Sequence, residues 1–272
     1  MTAKEKIESK TSDGFHICVG LDSDITKIPQ HLLKHSNPIL EFNKVIIENT
    51  YKEASAYKIN FAFYEKDGSR GFDTIHKTME LIPDDVLTIA DAKRGDIGNT
   101  SQMYAQSIFD HFGFDAVTLH PYMGLDSLSP FLDYKNKLNF ILALTSNGGA
   151  SDFEKQKLDN GKFLYQHVIE KVNEWNQNQN CGLVFGATKI DELKNNIESF
   201  KQMPILLPGV GTQGGSLEDV ARTFSLHKNM NFIINISRAL IYSDNTENFW
   251  IAVNKTIKQY NSTLHSILTA NK

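Results

Sequence analysis

Short apolar runs recur along this chain in alternation with longer segments of helical period, the rhythm of a parallel sheet whose strands are joined by helices. Eight such runs can be read: Phe15 to Leu21, Ala56 to Asn60, Val86 to Ala90, Ala116 to Leu119, Asn139 to Leu144, Gly182 to Phe185, Ile205 to Leu207 and Phe232 to Ile236. Helical spacing marks Ile39 to Tyr51, Gln102 to Phe112, Leu164 to Trp175, Glu192 to Phe200, Leu217 to Phe224 and Phe249 to Leu268. An eightfold repeat favours closure into a single (β/α)8 barrel of the TIM type, within the α/β class, over an open sheet. A barrel of this kind takes about 250 residues. The 272 residues are therefore expected to form one domain over 1–272, with a helical extension over about 1–13.

Active sites of such barrels form at the C-terminal ends of the strands, and polar residues gather there in the sequence. Asp22 closes the first run, Lys58 and Asn60 the second, Asp91 and Lys93 the third, and Ser146 follows the fifth. Strands also end in polar residues simply because loops begin there, so each position alone says little. Their joint occurrence points to one shared pocket. The densest cluster is Asp91-Ala92-Lys93-Arg94-Gly95-Asp96-Ile97-Gly98-Asn99-Thr100. Side chains alternate along a strand, so Asp91 and Lys93 share a face, and burying both is costly unless they pair or serve a purpose. Gly95 is expected to break the strand and leave Asp96 on a loop. A structural ion pair capping the strand is the competing reading of Asp91 and Lys93.

The segment Pro208-Gly209-Val210-Gly211-Thr212-Gln213-Gly214-Gly215-Ser216 follows the seventh run and opens a helix at Leu217. Glycines let backbone N–H groups turn inward, and a helix start adds partial positive charge, which together suit a phosphate dianion. The eighth run ends in Asn235-Ile236-Ser237-Arg238. Loops after strands seven and eight form the common phosphate site of these barrels, and a guanidinium matches phosphate with paired donors. No lysine-bearing P-loop is present, so nucleoside triphosphate hydrolysis is not indicated.

Composition closes off other classes. Lys and Arg number 28 against 32 Asp and Glu, a formal charge of -4, which disfavours nucleic acid as the main partner. The lysine-bearing start matches neither a secretory signal nor an anchor, and no run approaches the ~18 apolar residues of a membrane span. Cys18 and Cys181 lie in apolar surroundings, too few and too far apart for a disulfide framework or zinc site. A cytoplasmic protein without a metal site is expected. His111, His167 and His227 lack metal spacing, His120 beside Pro121 reads as structural, and Tyr64 and Phe72 as packing residues.

The chain resembles orotidine 5'-phosphate decarboxylases, in particular their longer bacterial, type 2-like form. The resemblance runs through Val19-Gly20-Leu21-Asp22, Lys58-Ile59-Asn60, the ten residues from Asp91, His120-Pro121-Tyr122, Thr145-Ser146-Asn147, Gly186-Ala187-Thr188, Pro208-Gly209-Val210-Gly211 and Ser237-Arg238. It implies a (β/α)8 barrel that dimerises and converts orotidine monophosphate to uridine monophosphate with neither metal nor organic cofactor. It further implies a catalytic tetrad of Lys58, Asp91, Lys93 and Asp96, with Asp96, Ile97 and Thr100 supplied across a homodimer interface. Ile97 would contact the base and Thr100 the ribose. Asp22 and Lys58 would bind the ribose hydroxyls, Asn60 and Pro208 belong to the same substrate-binding set, and Ser146 would meet the pyrimidine. Gln213 and Arg238, with backbone near Gly211 and Gly214, would hold the phosphate. Ile236 departs from the small hydroxyl residue expected before Ser237, but alternation turns it away from the site. Two rivals remain at this stage: a metal-dependent aldolase-like synthase with Asp91 as ligand, and a noncatalytic nucleotide sensor.

Overall fold

The computed structural model describes residues 1–211 and 214–270. Its eight strands are β1 (Ile17–Gly20), β2 (Ala56–Asn60), β3 (Leu87–Arg94), β4 (Ala116–Leu119), β5 (Leu138–Leu144), β6 (Cys181–Phe185), β7 (Ile205–Pro208) and β8 (Phe232–Ile236). All pair in parallel, each with the next, and β8 returns to β1 to close the barrel. The helices are α1 (Ala3–Ser12), α2 (Pro38–Thr50), α3 (Ala62–Glu65), α4 (Ser69–Met79), α5 (Gly98–Gln106), α6 (Ser129–Leu132), α7 (Leu164–Trp175), α8 (Ile190–Asn196), α9 (Leu217–Leu226), α10 (Arg238–Ile241) and α11 (Phe249–Thr269).

Strand alternation divides the apolar residues into two cores. Cys18, Ala56, Leu87, Ile89, Ala116, Phe140, Val184, Leu206 and Ile233 fill the barrel interior, and Ala3 and Ile7 of α1 join them, so the first helix plugs one end. Lys6 of α1 bonds Asp115, the residue before β4, at 2.8 Å, which places the plug at the N-terminal end and leaves the opposite mouth open. The strand residues Ile17, Val19, Ile59 and Ile236, with Leu21 just after β1, point outward into the layer between sheet and helices. Ile236 thus faces away from the barrel mouth, as its alternation predicts.

The sequence reading places every strand, and its largest error is in β3. The expected run stops at Ala90, whereas the strand continues to Arg94, because charged residues hide a strand from an apolar pattern. Gly95 follows, and a Cβ there would come within 2.9 Å of the His120 carbonyl oxygen; close approach of two loops explains the glycine. Helix α4 is missed altogether. It carries Gly71, whose added Cβ would lie 1.8 Å from the Tyr64 carbonyl oxygen, so tight packing on α3 puts a poor helix former inside a helix. The helix read over Gln102 to Phe112 begins earlier, at Gly98, and ends in a π-turn over Ser107–His111. The helix read from Glu192 to Phe200 is α8 plus a 3-10 turn over Ile197–Phe200.

Candidate active site

A cavity of about 300 Å³ opens at the C-terminal mouth of the barrel. It gathers Asp22 after β1, Lys58 and Asn60 from β2, Asp91 and Lys93 from β3, Ser146 after β5, Pro208 at the end of β7 and Arg238 after β8. Eight positions singled out by sequence therefore surround one space.

The charged centre is built around the Asp91 carboxylate. Lys58 Nζ donates to Asp91 Oδ2 at 2.7 Å, and Lys93 Nζ donates to Asp91 Oδ1 at 2.6 Å. Lys58 also lies 3.7 Å from Asp22 Oδ1, so one buried ammonium serves two carboxylates. Burial alone would pull the Lys58 pKa down, yet the attraction of Asp22 and Asp91 outweighs it and holds the group above the ordinary lysine range. Burial likewise pushes Asp91 up, and the nearby Lys58 and Lys93 ammonium groups overcome it, leaving the carboxyl well below its usual range. Both groups are charged at neutral pH. The lysines differ in access: the Lys58 side chain is 5% exposed and that of Lys93 52%. Lys58 is locked in place, while Lys93 faces the open cavity.

The other end is lined by backbone and a guanidinium. Gly209 (φ 106°), Gly211 (φ 83°) and Gly214 (φ 87°) adopt left-handed backbone, which lets the chain fold back so that Gly215 N–H donates to the Gly209 carbonyl at 3.0 Å. Gly209, Val210, Ser237, Arg238 and Ala239 line the cavity. Gly211 and Gly214 sit in the adjoining turn and do not line it. Gln213 lies outside the described residues. The α9 start, expected to add positive charge, is occupied otherwise: Ser216 caps it by accepting from Asp219 N–H at 3.0 Å, and Glu218 and Asp219 fill its first turn. No residue of that turn lines the cavity.

Three expected site residues stand apart from it. Asp96 lies on the loop after β3, where Oδ1 accepts from Ile97 N–H at 2.8 Å. Ile97 precedes α5 and is 59% exposed, and Thr100 is exposed in the first turn of that helix. None of them lines the cavity of its own chain.

Several lining residues escape the sequence reading. Thr118 of β4 donates to Asp91 Oδ1 at 3.0 Å; its inward position follows from alternation with Ala116, a signal available but unused. Asn235 and Ser237, read in the eighth-run motif but given no role there, also line the wall. The Ser237 hydroxyl and Asp22 Oδ1 are buried without a hydrogen-bond partner among the described residues, although Asp22 Oδ1 keeps its ion pair with Lys58 at 3.7 Å, so both retain hydrogen-bonding capacity for a ligand. The segment over 151–160 folds back on the end of β5 through Glu154. That carboxylate accepts from Thr145 N–H at 2.7 Å and from the Thr145 hydroxyl at 2.9 Å, and so steadies the loop bearing Ser146 and Asn147.

Comparison with known proteins decides the family. Residues 16–250 match the family model described as orotidine 5'-phosphate decarboxylase / HUMPS family. The chain belongs to this family. Among curated relatives, orotidine 5'-phosphate decarboxylase of Porphyromonas gingivalis is 47% identical over 252 residues, covering 92% of this chain and 91% of the relative. The protein of that name from Phocaeicola vulgatus is 43% identical, covering 97% of each. Among solved structures, the Leishmania donovani OMP decarboxylase superposes with a TM-score of 0.83 at 31% identity, over 97% of this chain and 99% of that one. For this family member the shared fold extends over nearly the whole chain.

Proposed function

We propose that the chain decarboxylates orotidine 5'-phosphate to uridine 5'-phosphate, a carboxy-lyase step of de novo pyrimidine synthesis. One observation carries the reading: the Asp91 carboxylate is clamped between two ammonium groups in a cavity whose far wall is Gly209, Val210 and Arg238. The relatives named above support it.

The C6–CO2 bond breaks heterolytically, CO2 leaves, and the electron pair remains in an sp2 orbital at C6 that the ring delocalises poorly. A fixed cation facing that orbital lowers the barrier. Lys93 is that cation, held by Asp91 and open to the cavity. It then donates an Nζ proton to C6 and regains one from solvent. Lys58 and Asp22 face the ribose hydroxyls, with Asn60 beside them. Ser146 meets the pyrimidine, and Pro208, Gly211, Gln213, Gly214 and Arg238 engage the phosphate. Asp96, Ile97 and Thr100, displaced from the cavity of their own chain, complete the site of a second copy in a homodimer. Asp96 then brings a second carboxylate to Lys93.

No metal or organic cofactor enters this scheme. A metal-dependent aldol reaction would need Asp91 as a ligand, and both of its oxygens already accept charged donors. The test is one assay: purified protein, orotidine monophosphate and a chelator, followed by loss of substrate absorbance. Turnover in chelator supports the reading, and turnover only with added divalent metal favours the aldolase-like alternative. Uridine monophosphate binding with unchanged orotidine monophosphate would leave a nucleotide sensor instead.

A further inference from the structure

The β3–β4 pairing breaks beside the charged centre. Ala90 pairs with Val117 and Arg94 with Leu119, so residues 91, 92 and 93 lie opposite Thr118 alone. A bulge of this kind removes backbone ladder bonds and re-aims side chains. Within it Lys93 has φ 47°, a left-handed backbone that a lysine adopts only under constraint. Regular alternation is therefore not what puts the Lys93 and Asp91 side chains in contact.

Thr118 supplies the constraint. The Lys93 N–H, left without a carbonyl across the bulge, donates to Thr118 Oγ1 at 3.1 Å. The same hydroxyl donates to Asp91 Oδ1 at 3.0 Å, the oxygen that also accepts Lys93 Nζ at 2.6 Å. The proton arrangement follows from the inventory: an amide can only donate and a carboxylate can only accept, so the hydroxyl must accept from one and donate to the other. Thr118 is 2% exposed, so water does not compete for either bond. One β4 side chain thus ties the Lys93 backbone to the carboxylate that holds its ammonium.

We propose that Thr118 is a positioning residue for the reaction, which fixes the left-handed turn at Lys93 and thereby aims Nζ at the reacting carbon. This rests on the decarboxylase reading for its effect on rate and on geometry alone for its effect on Lys93. Valine matches threonine in shape and removes both hydrogen bonds, whereas serine keeps them. Thr118→Val is expected to lower kcat roughly 10- to 100-fold, the range of a lost hydrogen bond to a charged group, with KM changed less than about threefold. Thr118→Ser is expected to restore kcat to near the parent value. In a crystal structure of Thr118→Val, Lys93 is expected to leave the left-handed region and Nζ to move off Asp91 Oδ1.

Equal kcat in Thr118→Val and the parent protein would overturn the proposal, as would equal loss in the valine and serine variants, since the hydroxyl would then not matter. If the parent protein itself fails to turn over orotidine monophosphate, the decarboxylase reading fails, and the valine structure still decides the geometric claim. An unmoved Lys93 there refutes it, and a displaced Lys93 upholds it.

Discussion

Replacing Lys58 by methionine removes the one buried cation shared by two carboxylates. At an effective dielectric constant of about 20, contacts of 2.7 Å to Asp91 and 3.7 Å to Asp22 correspond to attractions of roughly 6 and 4.5 kcal/mol. Dehydrating the ammonium offsets several kcal/mol of this. The net cost of breaking a buried pair from one side is roughly 3–5 kcal/mol, which for a chain of this size lowers Tm by about 10 °C. The sign with pH follows from Asp91. Its carboxyl lies below the ordinary value of 3.8 in the folded protein, so its contribution is present above that pH and is lost as pH falls through the folded value. Without Lys58 the Asp91 pKa climbs, and the variant's deficit should be largest at pH 7 and shrink below about pH 4. Denaturant unfolding of both proteins at pH 7 and near pH 3, below the ordinary carboxylate value, measures it, with a second comparison of Lys58→Met against Lys58→Met/Asp91→Asn. The double variant should recover part of the loss. A deficit under about 1 kcal/mol, or one equal at both pH values, would mean that Lys58 is not the counter-ion described here.

Lys93→Ala should abolish turnover with Tm changed by only a few degrees, because the ammonium is half exposed; steady-state rates and a melting curve check both, and substantial turnover in a pure preparation would remove Lys93 from its role. Mixing Asp96→Ala chains with Lys93→Ala chains should restore activity in heterodimers, since one of the two pockets would then be intact; no recovery despite proven subunit exchange would count against the shared site. Burial pushes His16 from 6.5 down to about 4, so the unfolded chain binds more protons between those values and stability should fall by about 3 kcal/mol as pH drops through that window. His16→Phe should flatten this part of the profile; an unchanged slope would assign the dependence to other groups.

Much of the fold is written in short-range pattern. Ile17, Val19 and Leu21 alternate with Cys18, and such two-residue periodicity marks a strand from its own neighbours without knowledge of the rest of the chain. The strand ends likewise show Asp22, Lys58 and Asp91 directly. Reading failed where long-range packing sets local structure. Gly71 sits inside α4 because Tyr64 leaves no room for a Cβ, and the start of α9 carries its own Ser216 cap and two acids, Glu218 and Asp219, in its first turn.

Sequence by itself determined an eightfold β/α repeat and the chemical identity of the groups at its strand ends, since both depend on residues within a few positions of each other. Tertiary structure alone decided the register in which β8 meets β1, the reach of Lys58 across 33 positions to Asp91, and the pairing of Lys58 with Asp22. The bulge at Lys93 belongs to the same class. There a hydroxyl 25 positions away accepts from the Lys93 backbone, and a bond of that range is set by how strands register in a closed barrel, which no local pattern encodes.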